Sequence, residues 1–391
     1  MDQPTPSQAR AEIVVDLDAI RDNVAALKAR VDGGLMMTVV KADGYGHGMV
    51  PAARAARAGG ADWLGVAVIE EGLALRESGD TGRVLTWLSV PGEDYRPAIE
   101  ADLDLTAYTL DELGEITTAA GELGSVAKVQ LKVDTGLNRG GAAEASWPDL
   151  VAAAASAERA GLAKITGIWS HFACSDEPDH PANHTQEQAF RAALKVADAA
   201  GLEPEVRHLC NSAGALTRPS AWFDMVRCGI ASYGLTPIPA IQSSDELGLV
   251  PAMTVRGRFA LVKRIPEGAG VSYGHTYIAA KETTVGVVPM GYGDGIPRHA
   301  SSVAPVLAAG RSRLIAGRVC MDQFVVDIED DEAVAGDPVV LFGTGRDGEP
   351  TAQDWASACG TISYEIVTRI GGRMHRRYVG ASTGSTTGAG R

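Results

Sequence analysis

The sequence of 391 residues lacks both a long apolar run and an excess of basic side chains. No apolar stretch reaches the roughly 18 residues of a membrane-spanning helix, and the N-terminal segment MDQPTPSQARAEIVVDLD lacks the basic and then apolar pattern of a secretion signal. The 35 basic and 49 acidic side chains give a formal net charge of −14, which disfavours nucleic acid and anionic membranes as partners. This composition leaves a small molecule as the expected partner.

Cysteine is scarce and scattered, and no CxxC pair occurs. An odd number of separated cysteines favours reduced thiols in a cytoplasmic protein over a disulfide framework. The five are Cys174, Cys210, Cys228, Cys320 and Cys359. Residues 382–391 are small, polar and of low complexity, and they predict a disordered tail.

From residue 35 onward, short apolar runs alternate with alanine-rich amphipathic segments. Segments such as LDELGEITTAAGEL and WPDLVAAAASAERAG predict helices, because Gly follows them and Asp, Ser or Thr stands near their start. The apolar runs predict strands, namely LMMTVVKA, WLGVAV, VLTWLS, DLTAYT, KVQLKVD, ITGIWSHFA, VRHLCNS and MVRCGIASYG. Eight strand–helix units over about 200 residues favour a closed (β/α)8 TIM-type barrel of class α/β over an open doubly wound sheet.

The pattern changes near residue 250, where short alternating runs are separated by turns such as PEGAG and GYGDG. This pattern predicts a barrel over residues 12–248 and a C-terminal, mainly-β domain over residues 249–381. The early strand at residues 12–16, EIVVD, is a candidate to pair with the C-terminal sheet, and the sequence leaves its partner open.

The active site of a (β/α)8 barrel lies at the carboxyl ends of its strands. The residues there are mostly cationic, hydroxyl-bearing or able to offer backbone amides, namely Lys41, Lys132, Asp134, Asn138, Arg139, His171, Asn211, Ser212, Arg227, Gly229 and Ile230. A cleft with this lining suits an anionic, phosphate-bearing organic ligand.

Lys41 stands at the end of the first barrel strand, before the glycine-rich segment ADGYGHG. One interpretation is a lysine that extends from a strand end into solvent. The other is an amine in a cationic, partly desolvated cleft, where its pKa falls below about 10.4 and it becomes a Schiff-base nucleophile. The glycines allow tight turns and close approach to a ligand, so that Tyr45 can reach back over the site.

Nine segments, in order along residues 10 to 380, resemble those of the alanine racemase family, whose members use pyridoxal 5'-phosphate (PLP). They are VVKADGYGHG, LKVDTGLNRGG, SHFACSDE, NSAGAL, VRCGIASYGL, GVSYGHTY, GYGDG, RVCMDQ and TISYEIVTRIGGR. The family fold is a (β/α)8 barrel followed by a β domain. The resemblance implies a PLP-dependent isomerase that interconverts L-alanine and D-alanine and supplies D-alanine for peptidoglycan.

The resemblance also implies roles for individual residues. Lys41 would hold PLP as an aldimine and then act as one of two bases at Cα, with Tyr273 as the other. Arg227 would face the pyridine nitrogen, and His171 would link Arg227 to Tyr273. The remaining cofactor contacts would come from Tyr45, Asn211, Ser212, Gly229, Ile230 and Tyr364.

Substrate contacts follow from the same resemblance. Arg139 and the backbone of Met321 would bind the carboxylate, Asp322 would orient Arg139 or its neighbours, and Tyr292 would narrow the entrance. Lys132 matches a lysine that is often carbamylated in the family. Because Tyr273, Tyr292 and Met321 match residues of the partner's half of the site, the implied assembly is a head-to-tail homodimer with two shared sites.

Several alternatives remain open. A racemase of another small amino acid, serine or a broad set, would share most of these residues, and a catalytically silent PLP-binding protein would keep the fold. The triplet DTG at residues 134–136 begins the aspartic-protease signature, but no second copy occurs to supply the other carboxylate. The loop over residues 174–184 holds Cys and His side chains whose spacing fits no standard zinc pattern, so we expect no metal site.

Overall fold

The computed structural model describes residues 9–380. The predicted disordered tail, 382–391, lies outside these residues. The described chain begins with strand β1 (Ala11–Asp16) and helix α1 (Leu17–Arg30). Helix α1 starts directly after the strand because the Asp16 carboxylate accepts hydrogen bonds from the backbone N–H groups of Asp18 and Ala19.

Eight parallel strands follow and form one sheet: β2 (Leu35–Val39), β3 (Trp63–Val66), β4 (Arg83–Thr86), β5 (Asp104–Ala107), β6 (Ala127–Lys132), β7 (Ala163–Trp169), β8 (Val206–His208) and β9 (Met225–Cys228). Their order is β8-β7-β6-β5-β4-β3-β2-β9. The Asp224 N–H donates to the Arg207 carbonyl at 3.0 Å, and the Arg227 N–H donates to the Cys210 carbonyl at 3.0 Å. These bonds join β8 to β9, the two ends of this strand order, and thereby close the sheet. The predicted (β/α)8 barrel is confirmed.

The barrel helices are α2 (Met49–Ala58), α3 (Ile69–Glu77), α4 (Arg96–Glu100), α5 (Leu110–Leu123), α6 (Trp147–Arg159), α7 (Pro181–Ala199) and α8 (Ser212–Thr217). Helix α5 shows how local sequence sets their limits. The Thr109 hydroxyl accepts from the Glu112 N–H, and Gly124 ends the helix with φ of 62°.

Helix α7 begins at Pro181, so the loop expected over residues 174–184 ends at residue 180. Pro181 occupies the first turn, where its missing N–H costs nothing, and the His180 ring accepts from the Ala182 N–H. The preceding loop is closed by Asn183, whose amide donates to the carbonyls of Cys174 and Glu177.

Side chains fill the barrel below the carboxyl ends of the strands. Met37, Trp63, Leu85, Trp169, Val206 and Met225 form this buried layer. The interior is therefore a packed core, and a ligand can enter only at the mouth above it.

The second half of the chain is built mainly of strands: β10 (Met253–Arg258), β11 (Leu261–Ile265), β12 (Gly270–Val271), β13 (Tyr277–Ile278), β14 (Thr283–Val288), β15 (Pro305–Ala308), β16 (Arg311–Leu314), β17 (Phe324–Glu329), β18 (Pro338–Phe342) and β19 (His375–Val379). A six-stranded sheet has the order β16-β15-β18-β10-β1-β19, a second sheet the order β11-β14-β17, and β12 pairs with β13. The early strand β1 thus lies within the C-terminal sheet, antiparallel to β10 and parallel to β19.

Two helices interrupt this β region, α9 (Ala352–Cys359) and α10 (Ser363–Arg369). Thr351 caps α9 by accepting from the Asp354 N–H, and the fully buried Trp355 anchors it. Helix α10 packs against the turn that follows Lys41 and carries Tyr364 toward the barrel. In the described part of the chain no helix combines the length and apolar character that crossing a bilayer requires.

Glu12 links three strands of the mixed sheet. Its buried carboxylate on β1 accepts hydrogen bonds from Arg256 on β10 at 2.6 Å and from Arg377 on β19 at 3.3 Å. Burial alone would raise the pKa of Glu12, but the two guanidinium groups outweigh burial, and the pKa lies below its ordinary value.

We expect Glu12→Ala to lower the free energy of unfolding by about 2 to 4 kcal/mol at neutral pH, because it leaves two guanidinium groups without their carboxylate. A carboxylate with a lowered pKa stabilises the fold above its ordinary pKa and loses that effect as the pH falls. The difference between variant and wild type should therefore shrink in acid. Urea denaturation at a series of pH values measures it. Glu267→Ala, at an exposed position, is the matched control, and equal effects of the two substitutions would contradict this account.

Candidate active site

A cavity of about 660 Å³ opens at the carboxyl ends of the barrel strands. Most of the sequence-predicted site residues line it: Lys41, Tyr45, Lys132, Arg139, His171, Asn211, Ser212, Arg227, Gly229, Ile230 and Tyr364. Tyr273, Tyr292, Met321 and Asp322 do not line it. The structure thus brings together the predicted residues of the barrel and of α10, and it separates them from those on the β domain.

Lys41 enters the cavity from a left-handed turn, Lys41–Tyr45. Ala42, Asp43 and Tyr45 each have φ of 53°, and Gly44 has φ of 62°. The Ala42 N–H donates to a carboxylate oxygen of Glu71 at 2.7 Å. Burial and the nearby charge of Arg139 lower the pKa of Lys41, although Glu71 acts in the opposite direction. The amine is therefore more readily deprotonated than that of an exposed lysine.

Arg227 is buried on the floor of the cavity without a carboxylate bound to it in residues 9–380. Its guanidinium donates to His208 Nδ1 at 2.8 Å, to His171 Nδ1 at 3.2 Å and to the carbonyls of Ser170 and Leu209 at 2.8 and 3.0 Å. No described residue accepts from its Nε–H, so this donor is available to a ligand. Burial lowers the pKa of Arg227 to about 10, and the group keeps its positive charge at neutral pH.

The two histidines that bind Arg227 are neutral acceptors. Burial and the charge of Arg227 hold the pKa of both His171 and His208 well below the ordinary value. His208 Nε2 lies 2.7 Å from the Gln130 side-chain oxygen. Because that oxygen only accepts, the proton of His208 resides on Nε2 and leaves Nδ1 free for Arg227.

Lys132 lies beside Arg139 and among aromatic rings. Its Nζ is 4.5 Å from the ring centroid of Trp169 and 5.0 Å from that of Tyr108. Burial, together with the charges of Arg227 and Arg139, lowers the pKa of Lys132 to about 8. The guanidinium of Arg139 has no hydrogen-bond acceptor among the described residues and faces the cavity.

Hydroxyl and amide groups lie together at the end of the cavity away from Lys132 and Arg139. The Ser212 hydroxyl accepts from the Gly229 N–H at 2.9 Å, and the Tyr45 hydroxyl lies against Gly229, where a Cβ atom would collide with it. The rings of Tyr45 and Tyr364 are 6.2 Å apart. Burial raises the pKa of both tyrosines, so they are neutral hydrogen-bond donors. Asn211 caps α8, since its oxygen accepts from the Gly214 N–H.

The remaining predicted residues form a separate group, the β-domain cluster, defined as Tyr273, Tyr292, Met321 and Asp322. Backbone bonds hold its loops together, because the Tyr292 N–H donates to the Cys320 carbonyl and the Gly293 N–H to the Met321 carbonyl. Tyr273 is 71% exposed and Met321 is 55% exposed. Within one chain Asp322 binds Arg373 at 2.7 Å. Its predicted role in orienting Arg139 stays a prediction.

Sequence reasoning missed several residues of this site. His208, Trp87, Trp169 and Tyr108 lie in or just after barrel strands, and Glu71 lies on α3. His208 had a signal, because it stands three residues before Asn211 in the strand-end segment VRHLCNS. The tryptophans and the tyrosine had none, since an aromatic residue on a barrel strand is usually part of the core.

Comparison with known proteins gives consistent matches over both halves of the chain. The family model "Alanine racemase, N-terminal domain" matches residues 15–237, and "Alanine racemase, C-terminal domain" matches residues 252–378. The chain is 57% identical over 371 residues to the alanine racemase of Thermobifida fusca, covering 95% of this chain and 98% of that protein. It is 55% identical to that of Frankia casuarinae, covering 96% and 98%.

Solved structures agree with these matches. The crystal structure of alanine racemase from D-cycloserine producing Streptomyces lavendulae superposes with a TM-score of 0.95 at 52% identity, covering 96% of this chain and 98% of that one. That of the Bacillus anthracis alanine racemase with bound L-Ala-P superposes with a TM-score of 0.87 at 32% identity, covering 97% of each chain.

The low pKa of Lys132 can be measured by its reactivity. We expect acylation of Lys132 by acetic anhydride to follow a titration with its midpoint near pH 8, read by peptide mass spectrometry. Exposed Lys281, whose pKa is raised by Asp330, is the control and should titrate at higher pH. In Arg139→Gln the midpoint for Lys132 should rise, because a cation that disfavours the charged amine is removed. Parallel titration of the two lysines would contradict the assignment.

Proposed function

The chain belongs to the alanine racemase family, and we propose that it interconverts L-alanine and D-alanine with PLP as its cofactor, at sites that two copies of the chain share. It is accordingly an isomerase that acts at Cα of an amino acid. The observation that carries the proposal is the joint placement of the desolvated Lys41 amine and the buried Arg227 guanidinium in one cavity of the barrel mouth.

The residues present fit three functional groups of PLP: the aldehyde, the phosphate and the ring nitrogen. A lysine with a lowered pKa suits the aldehyde, because a neutral amine forms a Schiff base. The hydroxyls of Tyr45, Ser212 and Tyr364, with the backbone amides of Gly229 and Ile230, suit the phosphate. The unbonded Nε–H of Arg227 suits the ring nitrogen. A cavity of about 660 Å³ also lies within the range typical of cofactor sites.

When bound, PLP draws electrons from the α-carbon of an amino acid and makes its proton removable. Arg227 would donate a hydrogen bond to the ring nitrogen and would keep its proton, because its pKa of about 10 is well above neutrality. By keeping that proton, Arg227 would limit how strongly the ring withdraws electrons and would favour return of the proton to the α-carbon over side reactions. His171 and His208 hold the guanidinium in place for this contact.

Racemisation needs proton exchange on both faces of the α-carbon, and a base on each face meets that need without rotation of the substrate. Lys41 provides the amine on one side. We assign the other base to Tyr273 of a second copy, since Tyr273 is 71% exposed and does not line the cavity of its own chain. His171, whose Nδ1 accepts from Arg227, keeps a proton on Nε2 that can reach such a phenol.

The substrate carboxylate would meet Arg139 from the barrel and Met321 from the second copy. Arg139 needs an anionic neighbour to fix its direction, and Lys132 can supply one by carbamylation. That reaction requires a neutral amine, which a pKa of about 8 makes available. Tyr292, 42% exposed beside Met321, would limit the side chain to a small one. We further propose that the enzyme works in the cytoplasm, where D-alanine serves peptidoglycan synthesis.

The first test is racemisation of L-alanine, with L-serine and other L-amino acids in parallel, by purified protein supplied with PLP. We expect formation of D-alanine at the highest rate in the panel. Lys41→Ala should lower kcat by about a hundred-fold or more, as expected when a catalytic base is removed. Lys195→Ala, on the exposed face of α7, should leave the rate unchanged. Full activity without Lys41 would overturn the proposal.

The second test addresses the shared sites. A Lys41→Ala chain and a Tyr273→Phe chain are co-expressed with different tags, and the mixed dimer is isolated. Each homodimer should be nearly inactive. The mixed dimer has one intact site, so it should recover about half of the wild-type activity.

The matched control carries both substitutions on one chain, paired with a wild-type chain. If the sites are shared, both sites of this dimer are broken and it should be nearly inactive. If each chain has its own complete site, this control should instead keep about half of the wild-type activity, which would refute the shared arrangement.

A further inference from the structure

The turn that presents Lys41 has an unfavourable backbone. Ala42, Asp43 and Tyr45 adopt left-handed φ angles that cost L-residues roughly 1 to 2 kcal/mol each. Gly46, with φ of 79°, leaves no room for a Cβ atom beside the Val367 carbonyl. Such a conformation persists only where neighbouring groups hold it, and it commonly occurs at functional sites.

His47 is one of the groups that hold it. The side chain is fully buried, and its Nδ1 lies 2.9 Å from the Tyr45 carbonyl and 3.1 Å from the Gly44 carbonyl. Both partners are acceptors, so Nδ1 carries the proton and donates. The Gly44 N–H in turn donates to the Val40 carbonyl at 2.8 Å. The imidazole is thus bonded to the same turn that is anchored one residue before Lys41.

The imidazole of His47 stays neutral in this position. Its Nε2 is buried and has no partner in the described chain, so a proton there would be an unpaired charge in the interior. Burial lowers the pKa of His47 to about 4. A single tautomer, protonated on Nδ1, is therefore present at neutral pH.

The His47 ring is also linked to Tyr45, at the phosphate end of the cavity, through a stack of aromatic rings. His47 stacks on Tyr233 with centroids 4.5 Å apart, and Tyr233 stacks on Tyr45 with centroids 5.0 Å apart. The Tyr233 hydroxyl donates to the Val39 carbonyl at 3.0 Å, on the strand that ends before Lys41. His47 therefore contacts both the turn that follows Lys41 and the Tyr233 ring that packs against Tyr45.

We propose that His47 is a positioning residue for the cofactor: its Nδ1–H holds the left-handed turn so that Lys41 and the Tyr45 hydroxyl face the two ends of bound PLP at once. This inference rests on the proposed function and deepens it. His47 itself does not line the cavity, and it acts through the carbonyls of Gly44 and Tyr45.

The test separates the hydrogen bond of His47 from its ring. His47→Asn places an amide N–H near the position of Nδ1 without the ring, whereas His47→Phe keeps a ring for stacking without the donor. His47→Gln carries the same amide one methylene further out. PLP binding is measured by quenching of tryptophan fluorescence, because Trp87 and Trp169 line the cavity. The fraction of Lys41 trapped by borohydride is measured by mass spectrometry.

We expect His47→Phe and His47→Gln to bind PLP about tenfold more weakly than wild type, because two buried carbonyls lose their donor. His47→Asn should stay within about twofold of wild type. At limiting PLP, the trapped fraction of Lys41 should likewise fall in the Phe and Gln variants and stay close to wild type in the Asn variant. If His47→Phe does not fold, the comparison of Asn with Gln decides.

Equal PLP affinity in the wild type and the Gln variant would overturn the inference, as would equal weakening in the Asn and Gln variants. Failure of wild-type protein to bind PLP or to be trapped at Lys41 would instead refute the proposed function. The two failures are therefore distinguishable.

Discussion

The concentration of positive charge in one cavity determines the character of this site. Arg227, Lys132, Lys41 and Arg139 line that cavity, and within residues 9–380 none of the four forms a hydrogen bond or ion pair with a carboxylate. Aromatic rings lie close to Lys132 and Arg227 instead. Such an arrangement is unfavourable by itself. Arg139 helps to lower the pKa of Lys41, and Arg227 and Arg139 help to lower the pKa of Lys132. An anionic ligand relieves it. The chain as a whole carries a formal charge of −14, so the field inside the cavity is opposite to that of the protein.

The same constraint explains why histidines rather than acids bind Arg227. A carboxylate would neutralise the guanidinium and remove its influence on the pKa of Lys132. Neutral imidazoles of His171 and His208 fix its direction and leave its charge in place. The Gln130 side chain fixes His208 in turn. Its oxygen accepts from the Nε2–H of His208, which leaves Nδ1 as the acceptor for Arg227. Hydrogen-bond direction, more than ion pairing, organises the floor of the cavity.

The side chains that we propose to act together lie on two separate surfaces of one chain. The barrel mouth concentrates cations and hydroxyls, whereas the β-domain cluster presents Tyr273 and Met321 to solvent. Large apolar side chains also remain exposed near the mouth, at Leu88, Leu110 and Ile362. Under the proposed shared sites, a second copy that covers this rim would bury apolar surface and bring the Tyr273 phenol to Lys41, so that assembly and catalysis would depend on the same contact.

The pattern of apolar runs was enough to predict the barrel and most of the residues that line the cavity at its mouth. The eight apolar runs became the eight strands, and in a parallel barrel the carboxyl ends of all strands lie at the same mouth. Lys41, Arg139, His171 and Arg227 therefore had to meet there.

Packing between elements selected which residues of a type usual for the core instead line the cavity. Trp87, Tyr108 and Trp169 gave no distinct pattern, because the sequence does not show whether an aromatic residue on a strand packs in the core or lines a site. Hydrogen bonds and packing also produce the left-handed turn after Lys41 and the start of α7 at Pro181. Neither feature follows from the periodicity of apolar residues. The physical reason is that periodicity reports which side of an element is buried, whereas a functional contact depends on what the neighbouring element places opposite.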